Sequence, residues 1–277
     1  MKKLLTVQNL CYKYPDGHEA LKNVNFEINH GEKIALVGAN GSGKSTLLLL
    51  IAGAMEQTDG EIFFNGSKDS EARRRKTGLI FQDADDQILM PTVIEDVAFS
   101  PIADGMKAEE AHALAMKILK SLGIEHLADR VPHKLSGGEK RMVTFAGTLA
   151  AEPELLLLDE PFAAIDAKVR QELRGWLKQT IHKLGITAIF VTHDQEEAVE
   201  VADEIIITNR GRVEQAGVPI EIYQAPKTPF VAKFIGESVQ VADYTIFKGF
   251  DEYERHEGIL RPEFLEIAAN IDEMPQP

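Results

Sequence analysis

Apolar residues recur at Leu5, Val7 and Leu10, and NVNFEIN (23–29) alternates apolar with polar, so two half-buried strands are predicted near the start of the chain. KIALVG (33–38) is nearly all apolar, the pattern of a strand covered on both faces. A glycine-rich stretch follows, then an apolar run from Thr46 to Met55 that reads as a helix, and short strands at 61–65 and 77–81. RRRK (73–76) reads as a solvated loop entering the second of these strands. From 92 to 150 the spacing turns helical, through TVIEDVAFS, the run ending at Gly123 and the segment after Ser136. Alternation then resumes: a strand at 155–159, a helix over 166–184, a strand at 187–193, the helix QEEAVEVA and a strand at 204–209. The pattern predicts an α/β fold, a mostly parallel sheet under helices, interrupted by a helical subdomain at about 83–150. Beyond residue 236 the pattern predicts a short β-rich extension over 237–277, which leaves 1–236 as the main domain.

Composition adds limits. The 277 residues carry a net charge of −14, which argues against a nucleic-acid partner. Cys11 is the only cysteine, so no internal disulfide is expected and a reducing compartment fits. LLLLIAGAM (47–55) is too short to span a membrane and no signal peptide is evident, so a soluble chain is expected, with docking on a membrane protein left open.

GANGSGKS (38–45) fits the phosphate loop of glycine, four residues, then Gly-Lys-Ser. Gly38, Gly41 and Gly43 let the backbone wrap phosphates, with Asn40 and Ser42 between them. Lys44 is placed for the β and γ phosphates, Ser45 for Mg²⁺, and Thr46 continues into the helix whose N-terminus favours an anion. LLLLDEP (155–161) supplies Asp159 at a strand's C-terminal end, suited to hold Mg²⁺ through water, and Glu160, suited to accept a proton from an attacking water. KLSGGEKR (134–141) offers a second anion cradle, without a lysine or hydroxyl of the first kind.

Together, GANGSGKST, Gln82, LSGGE, LLLLDEP, AAID (163–166) and His193 resemble the ABC-type ATPases in order and spacing, over residues 1 to about 236. The resemblance implies a P-loop NTPase fold of the ABC nucleotide-binding type, ATP and Mg²⁺ as ligands, and two such domains sharing each nucleotide. It implies that Tyr14, or Tyr12, stacks on adenine. Gln82 would reach Mg²⁺ and the attacking water, His193 the γ phosphate, and Asp166 the partner domain. Leu135, Ser136, Gly137, Gly138 and Glu139 form the signature that closes on ATP held by the partner's phosphate loop. Phe162, Ile165, Thr144 and Gly147 depart from the common family pattern without removing a catalytic group.

A chromosome-structuring ATPase would need a long coiled coil and a translation factor two phosphate loops, so the ATPase subunit of a membrane transporter is expected, peripheral on the cytoplasmic face. Residues 77–102 resemble energy-coupling-factor importers of transition metals and vitamins. Residues 192–236 and ILRPEFLEI resemble importers of sugars, polyamines and oxyanions. The region near Gln82, which in the family meets the membrane subunit, gives the metal or vitamin reading precedence, and Asp83, Asp85 and Asp86 are expected to face basic residues of that subunit. The dimer partner is the same chain or a paralogue.

Overall fold

A computed structural model describes residues 2–163, 165–236, 239–241 and 258–260. Three antiparallel strands, β1 (Lys3–Lys13), β2 (Glu19–Asn29) and β4 (Asp59–Phe64), form one sheet in the order β2-β1-β4. A second sheet has the order β5-β6-β7-β3-β8-β9, from β3 (Lys33–Gly38), β5 (Thr77–Ile80), β6 (Leu155–Leu158), β7 (Thr187–Thr192), β8 (Glu204–Asn209) and β9 (Arg212–Gly217). The first five of these run parallel and β9 pairs antiparallel on the β8 edge. The small antiparallel sheet is an addition to the single sheet expected from the sequence.

The continuous apolar runs have a direct explanation in the core. In β3, Ala35 and Val37 join one buried cluster and Ile34 and Leu36 the other; in β6, Leu156 and Leu158 part from Leu155 and Leu157 in the same way. Each strand is covered on both faces, so no polar alternation survives. One cluster lies against the antiparallel sheet and α1 (Lys44–Ile51); the other includes the helices α3 (Val93–Ala103), α4 (Ala108–Ser121), α5 (Gly137–Ala150) and α6 (Ala167–Leu184). Thr92 and Glu95 form a capping box that starts α3.

RRRK is not a loop. Asp69 caps a short helix, α2 (Ser70–Arg75), by accepting from the N–H groups of Glu71 and Ala72. Arg73 is only 3 % exposed and donates to the carbonyls of Leu50 and Ile62. It thereby adds a second donor to the Leu50 carbonyl, which also accepts from the Gly53 N–H at 3.1 Å, in the last turn of α1, a helix that ends at Ile51 and not at Met55. Arg74 and Arg75 pair with Glu71 on the outside.

After α7 (Gln195–Val201) and β9 come two short helices, α8 (Pro219–Gln224) and α9 (Pro229–Phe234). In the expected extension, β10 (Val239–Val241) pairs antiparallel with β11 (Gly258–Leu260); the remainder of 237–277 lies outside the described residues. No helix among the described residues is long and apolar enough to cross a membrane.

Candidate nucleotide site

The loop after β3 is shaped by what surrounds it. A Cβ on Gly38 would collide with the Thr208 carbonyl on β8, and one on Gly43, at φ 95°, would stand 2.6 Å from the Ala20 carbonyl. Glycine is therefore required at both positions. The buried hydroxyl of Ser42 lies 3.0 Å from that of Thr208, which donates to the Val37 carbonyl. Lys44 folds back to donate to the carbonyls of Gly38 and Ala39, at 3.0 and 3.1 Å. Burial lowers the pKa of its ammonium, while Glu160 and Asp159 oppose the shift.

Asn40, Gly41, Gly43, Lys44, Ser45 and Thr46 line an open cleft of about 340 Å³ together with Gln82 and Glu160. Glu160 leaves β6 with φ 44°, a left-handed conformation uncommon outside glycine. In that conformation its carboxylate accepts from Gln82 Nε2 at 3.2 Å and lies 3.5 Å from His193 Nδ1. Three residues far apart in sequence thus meet beside the phosphate loop. Tyr14 touches the same loop through its hydroxyl, 2.9 Å from Thr46 Oγ1, whereas Tyr12 packs edge-on against Tyr14 and onto the core.

Asp159 hydrogen-bonds Ser45, yet its Oδ1 is buried without a partner. Burial raises its pKa, with Glu160 adding to the rise and Ser45 and Lys44 opposing it. An orphaned carboxylate oxygen beside a serine hydroxyl in a phosphate loop fits a site for Mg²⁺. Among the described residues no group of three or more acidic, histidine or cysteine side chains is placed to hold a metal ion.

The signature residues 135–139 stand outside the Lys44 cleft, although Gly137 lines a neighbouring open pocket together with Gln82 and Asp159. Ser136 caps α5, accepting from Glu139 N–H at 3.3 Å while its own N–H and hydroxyl donate to the Glu139 carboxylate at 2.7 and 2.8 Å. Ser136 and Gly137 are exposed; Leu135 and Gly138 are buried, the latter with Val169 of α6 where a Cβ would go. Asp166 is exposed and caps α6.

Asp83, Asp85 and Asp86 are exposed, and Asp85 makes an ion pair within the chain, with Lys140 of α5 at 2.5 Å. The pair forms because the loop after β5 runs directly over α5, where Arg141 donates to the carbonyls of Phe81 and Gln82. Sequence reading passed over Arg141 and Thr208. Arg141 had a signal, since Gly138, Arg141 and Phe145 share the inner face of one helix; Thr208 had none, because its role comes from a strand pairing.

A strand, a glycine loop wrapped by its neighbours, and a carboxylate pair ending β6, two strands away in the same parallel sheet, define a P-loop nucleotide-hydrolase domain of the ABC type. The chain belongs to the ABC transporter family, whose model, described as "ABC transporter", matches residues 21–163. It is 47 % identical over 223 residues to the sulfate/thiosulfate import ATP-binding protein CysA of Nitrosomonas europaea, covering 78 % of this chain and 61 % of that protein. It is 43 % identical over 255 residues to CysA of Neisseria meningitidis, covering 90 % of this chain and 71 % of that one. The chain thus spans about two thirds of these relatives. Among solved structures it is similar to cbiO1 of Clostridium perfringens, part of the ABC transporter complex cbiONQ, with 36 % identity and a TM-score of 0.75 over 81 % of this chain and 92 % of that one. It also resembles the ATP-binding cassette MJ0796, solved as a dimer in a post-hydrolysis state with ADP and Pi, at 33 % identity and a TM-score of 0.67 over 78 % and 99 % of the two chains.

Proposed function

We propose that the chain is the ATP-hydrolysing subunit of an ABC importer, peripheral on the cytoplasmic face of a membrane, and that its cargo is an oxyanion of the sulfate type. The observation that carries the hydrolase reading is that Gln82 and Glu160 meet in the cleft of Lys44 and Ser45, with His193 beside them at 3.5 Å from Glu160. Backbone N–H groups of the loop and Lys44 bind the β and γ phosphates, and Tyr14 stacks on adenine. Glu160 accepts the proton of a water attacking the γ phosphorus in line; the bond from that phosphorus to the bridging oxygen breaks and ADP leaves. Gln82 orients the water and His193 donates to a γ-phosphate oxygen. Ser45, with Gln82 and, through water, Asp159, would hold Mg²⁺, which would supply charge neutralisation to the phosphates. Two chains, or this chain and a paralogue, share each ATP, with Ser136 and Gly137 and the N–H groups of α5 completing the partner's site and Asp166 crossing between them.

The cargo reading reverses the precedence drawn from the Gln82 region. Identity of 43–47 % to sulfate/thiosulfate importers over as much as 90 % of the chain supports an oxyanion. A metal or vitamin is the second reading, favoured by the likeness to cbiO1. Uptake of radiolabelled sulfate and thiosulfate in cells lacking the protein tests this: uptake is expected to fall and to return with the wild type but not with Glu160→Gln. Unchanged oxyanion uptake with impaired cobalt or nickel uptake would establish the second reading.

The membrane subunit is expected to seat over the loop after β5 and the outer faces of α3 and α5. A groove of about 210 Å³ there is lined by Gln87, Leu89, Asp96, Phe99 and Thr144 among others, and Leu89 and Phe99 are exposed. With Asp85 paired to Lys140, Asp83 and Asp86 are the exposed carboxylates of the cluster that remain to meet a basic partner.

A further inference from the structure

His193 is the single residue between the end of β7 at Thr192 and the cap of α7 at Asp194, so where it points depends on how that turn is held. Thr192, 2 % exposed, holds both sides of it. Its hydroxyl donates to Glu197 of α7 and accepts from the N–H of Asp194 at 3.0 Å. Asp194 in turn accepts from the N–H groups of Glu196 and Glu197. Glu197 is 4 % exposed, an unusual place for a carboxylate, and its other oxygen lies 3.7 Å from Arg174 of α6. Arg174 also pairs with Glu200, at 2.9 Å. The helix that carries Arg174 begins at Asp166, which caps it, and Arg170 one turn before Arg174 donates to the Ile165 carbonyl.

We propose that the chain Thr192–Glu197–Arg174 is a positioning device for the proposed nucleotide chemistry, holding the His193 turn in register with α6 and hence with the segment around Asp166 that faces the partner. Glu197 and Thr192 touch neither phosphate nor water; they act through His193, so the inference rests on the γ-phosphate role assigned to that residue. A carboxylate kept in the interior carries a desolvation cost that raises its pKa, and here the Thr192 hydroxyl, Arg174 and Arg170 oppose that rise. The arrangement makes physical sense as a fixed link between two moving parts, since the histidine must meet phosphate in one chain while Asp166 meets the other.

The test uses steady-state ATPase assays of the intact chain with Thr192→Val, Thr192→Ser, Glu197→Ala, Glu197→Gln and His193→Ala. Thr192→Val keeps the shape and removes both hydrogen bonds. It is expected to lower kcat about ten- to a hundredfold, the penalty of misplacing one reacting group, with KM for ATP changed less than about twofold. Thr192→Ser restores the hydroxyl and is expected to retain turnover. Glu197→Gln, which can still accept from Thr192, is expected to keep more activity than Glu197→Ala. Wild-type turnover in Thr192→Val beside a dead His193→Ala overturns the positioning role and leaves the histidine reading standing. Full turnover in His193→Ala removes both. Serine and valine variants equally impaired, or KM rising as far as kcat falls, would mean that the cluster only supports the fold, which also overturns the proposal.

Discussion

Glu160 takes its left-handed φ of 44° immediately after a buried strand, and the strain is repaid in placement: only there does its carboxylate reach both Gln82 and His193. Replacing it by glutamine preserves size and the contact with Gln82 but removes the proton acceptor. Glu160→Gln is therefore expected to bind ATP, lose at least about a hundredfold in kcat and accumulate as an ATP-bound dimer, as read by phosphate release and gel filtration. Wild-type turnover would remove Glu160 from the chemistry. Its neighbour behaves oppositely. Burial raises the Asp159 pKa, so the folded chain holds that proton more tightly than the unfolded one and, for this group, stability increases as pH falls through the folded pKa. Asp159→Asn removes the burdened charge. Without nucleotide its Tm at neutral pH should rise by about 2 °C, the shift of about 1 kcal/mol in a domain of this size, while stabilisation by Mg²⁺ and ATP is lost. A lower Tm in calorimetry would show that the ionised carboxylate supports the fold.

At the scale of elements, α5 has two duties that meet at its first turn. Its cap exposes Ser136 and Gly137, and one residue on, Gly138 must let α6 approach, since a Cβ there would stand 2.8 Å from Val169 Cγ1. Gly138→Ala is expected to cost about 1–3 kcal/mol by overpacking, seen as a lower urea midpoint. Adding Val169→Ala makes room and should recover most of the loss; strict additivity of the two changes would place the strain elsewhere. Such pair contacts mark what the sequence could not disclose. The strands at 33–38 and 204–209 and the ends of most helices were legible because apolar runs, caps and glycines are local signals. So were the residues of the nucleotide cleft, because a wrapped phosphate needs glycines, a lysine and a hydroxyl at fixed spacing. The separate antiparallel sheet was not, because alternation predicts a strand without saying with which others it pairs. The helix at RRRK was hidden because its stability comes from a cap at Asp69 and from Leu50 and Ile62 accepting a buried guanidinium, none of which a charge run announces.

At the scale of the whole molecule, the decisive feature is a separation. The cleft of Lys44, Ser45, Gln82 and Glu160 contains none of residues 135–139, while Ser136 and Gly137 stand exposed on a helix N-terminus. An anion cradle turned to solvent, with no lysine of its own, is half a site, and the net charge of −14 makes close approach of two copies unfavourable unless something between them is bound by both. Under the proposed function, ATP between the copies would supply that link. If each site draws on two chains, two inactive variants must complement each other. Lys44→Ala destroys the phosphate loop but keeps the signature; Ser136→Arg blocks the signature but keeps the loop. Each alone is expected to be inactive, since both sites of its dimer are broken. Mixed in equal amounts, half of the dimers are heterodimers and each of these has one intact site, so ATPase activity is expected to reappear, up to about a quarter of wild type if the sites act independently. A mixture as inactive as its components has two explanations, a site contained within one chain or a requirement for two intact sites at once. Gel filtration of the mixture in a Glu160→Gln background separates them: with one intact site, ATP-bound heterodimers should persist, and their absence would mean that Ser136 does not close on the ATP of a second copy.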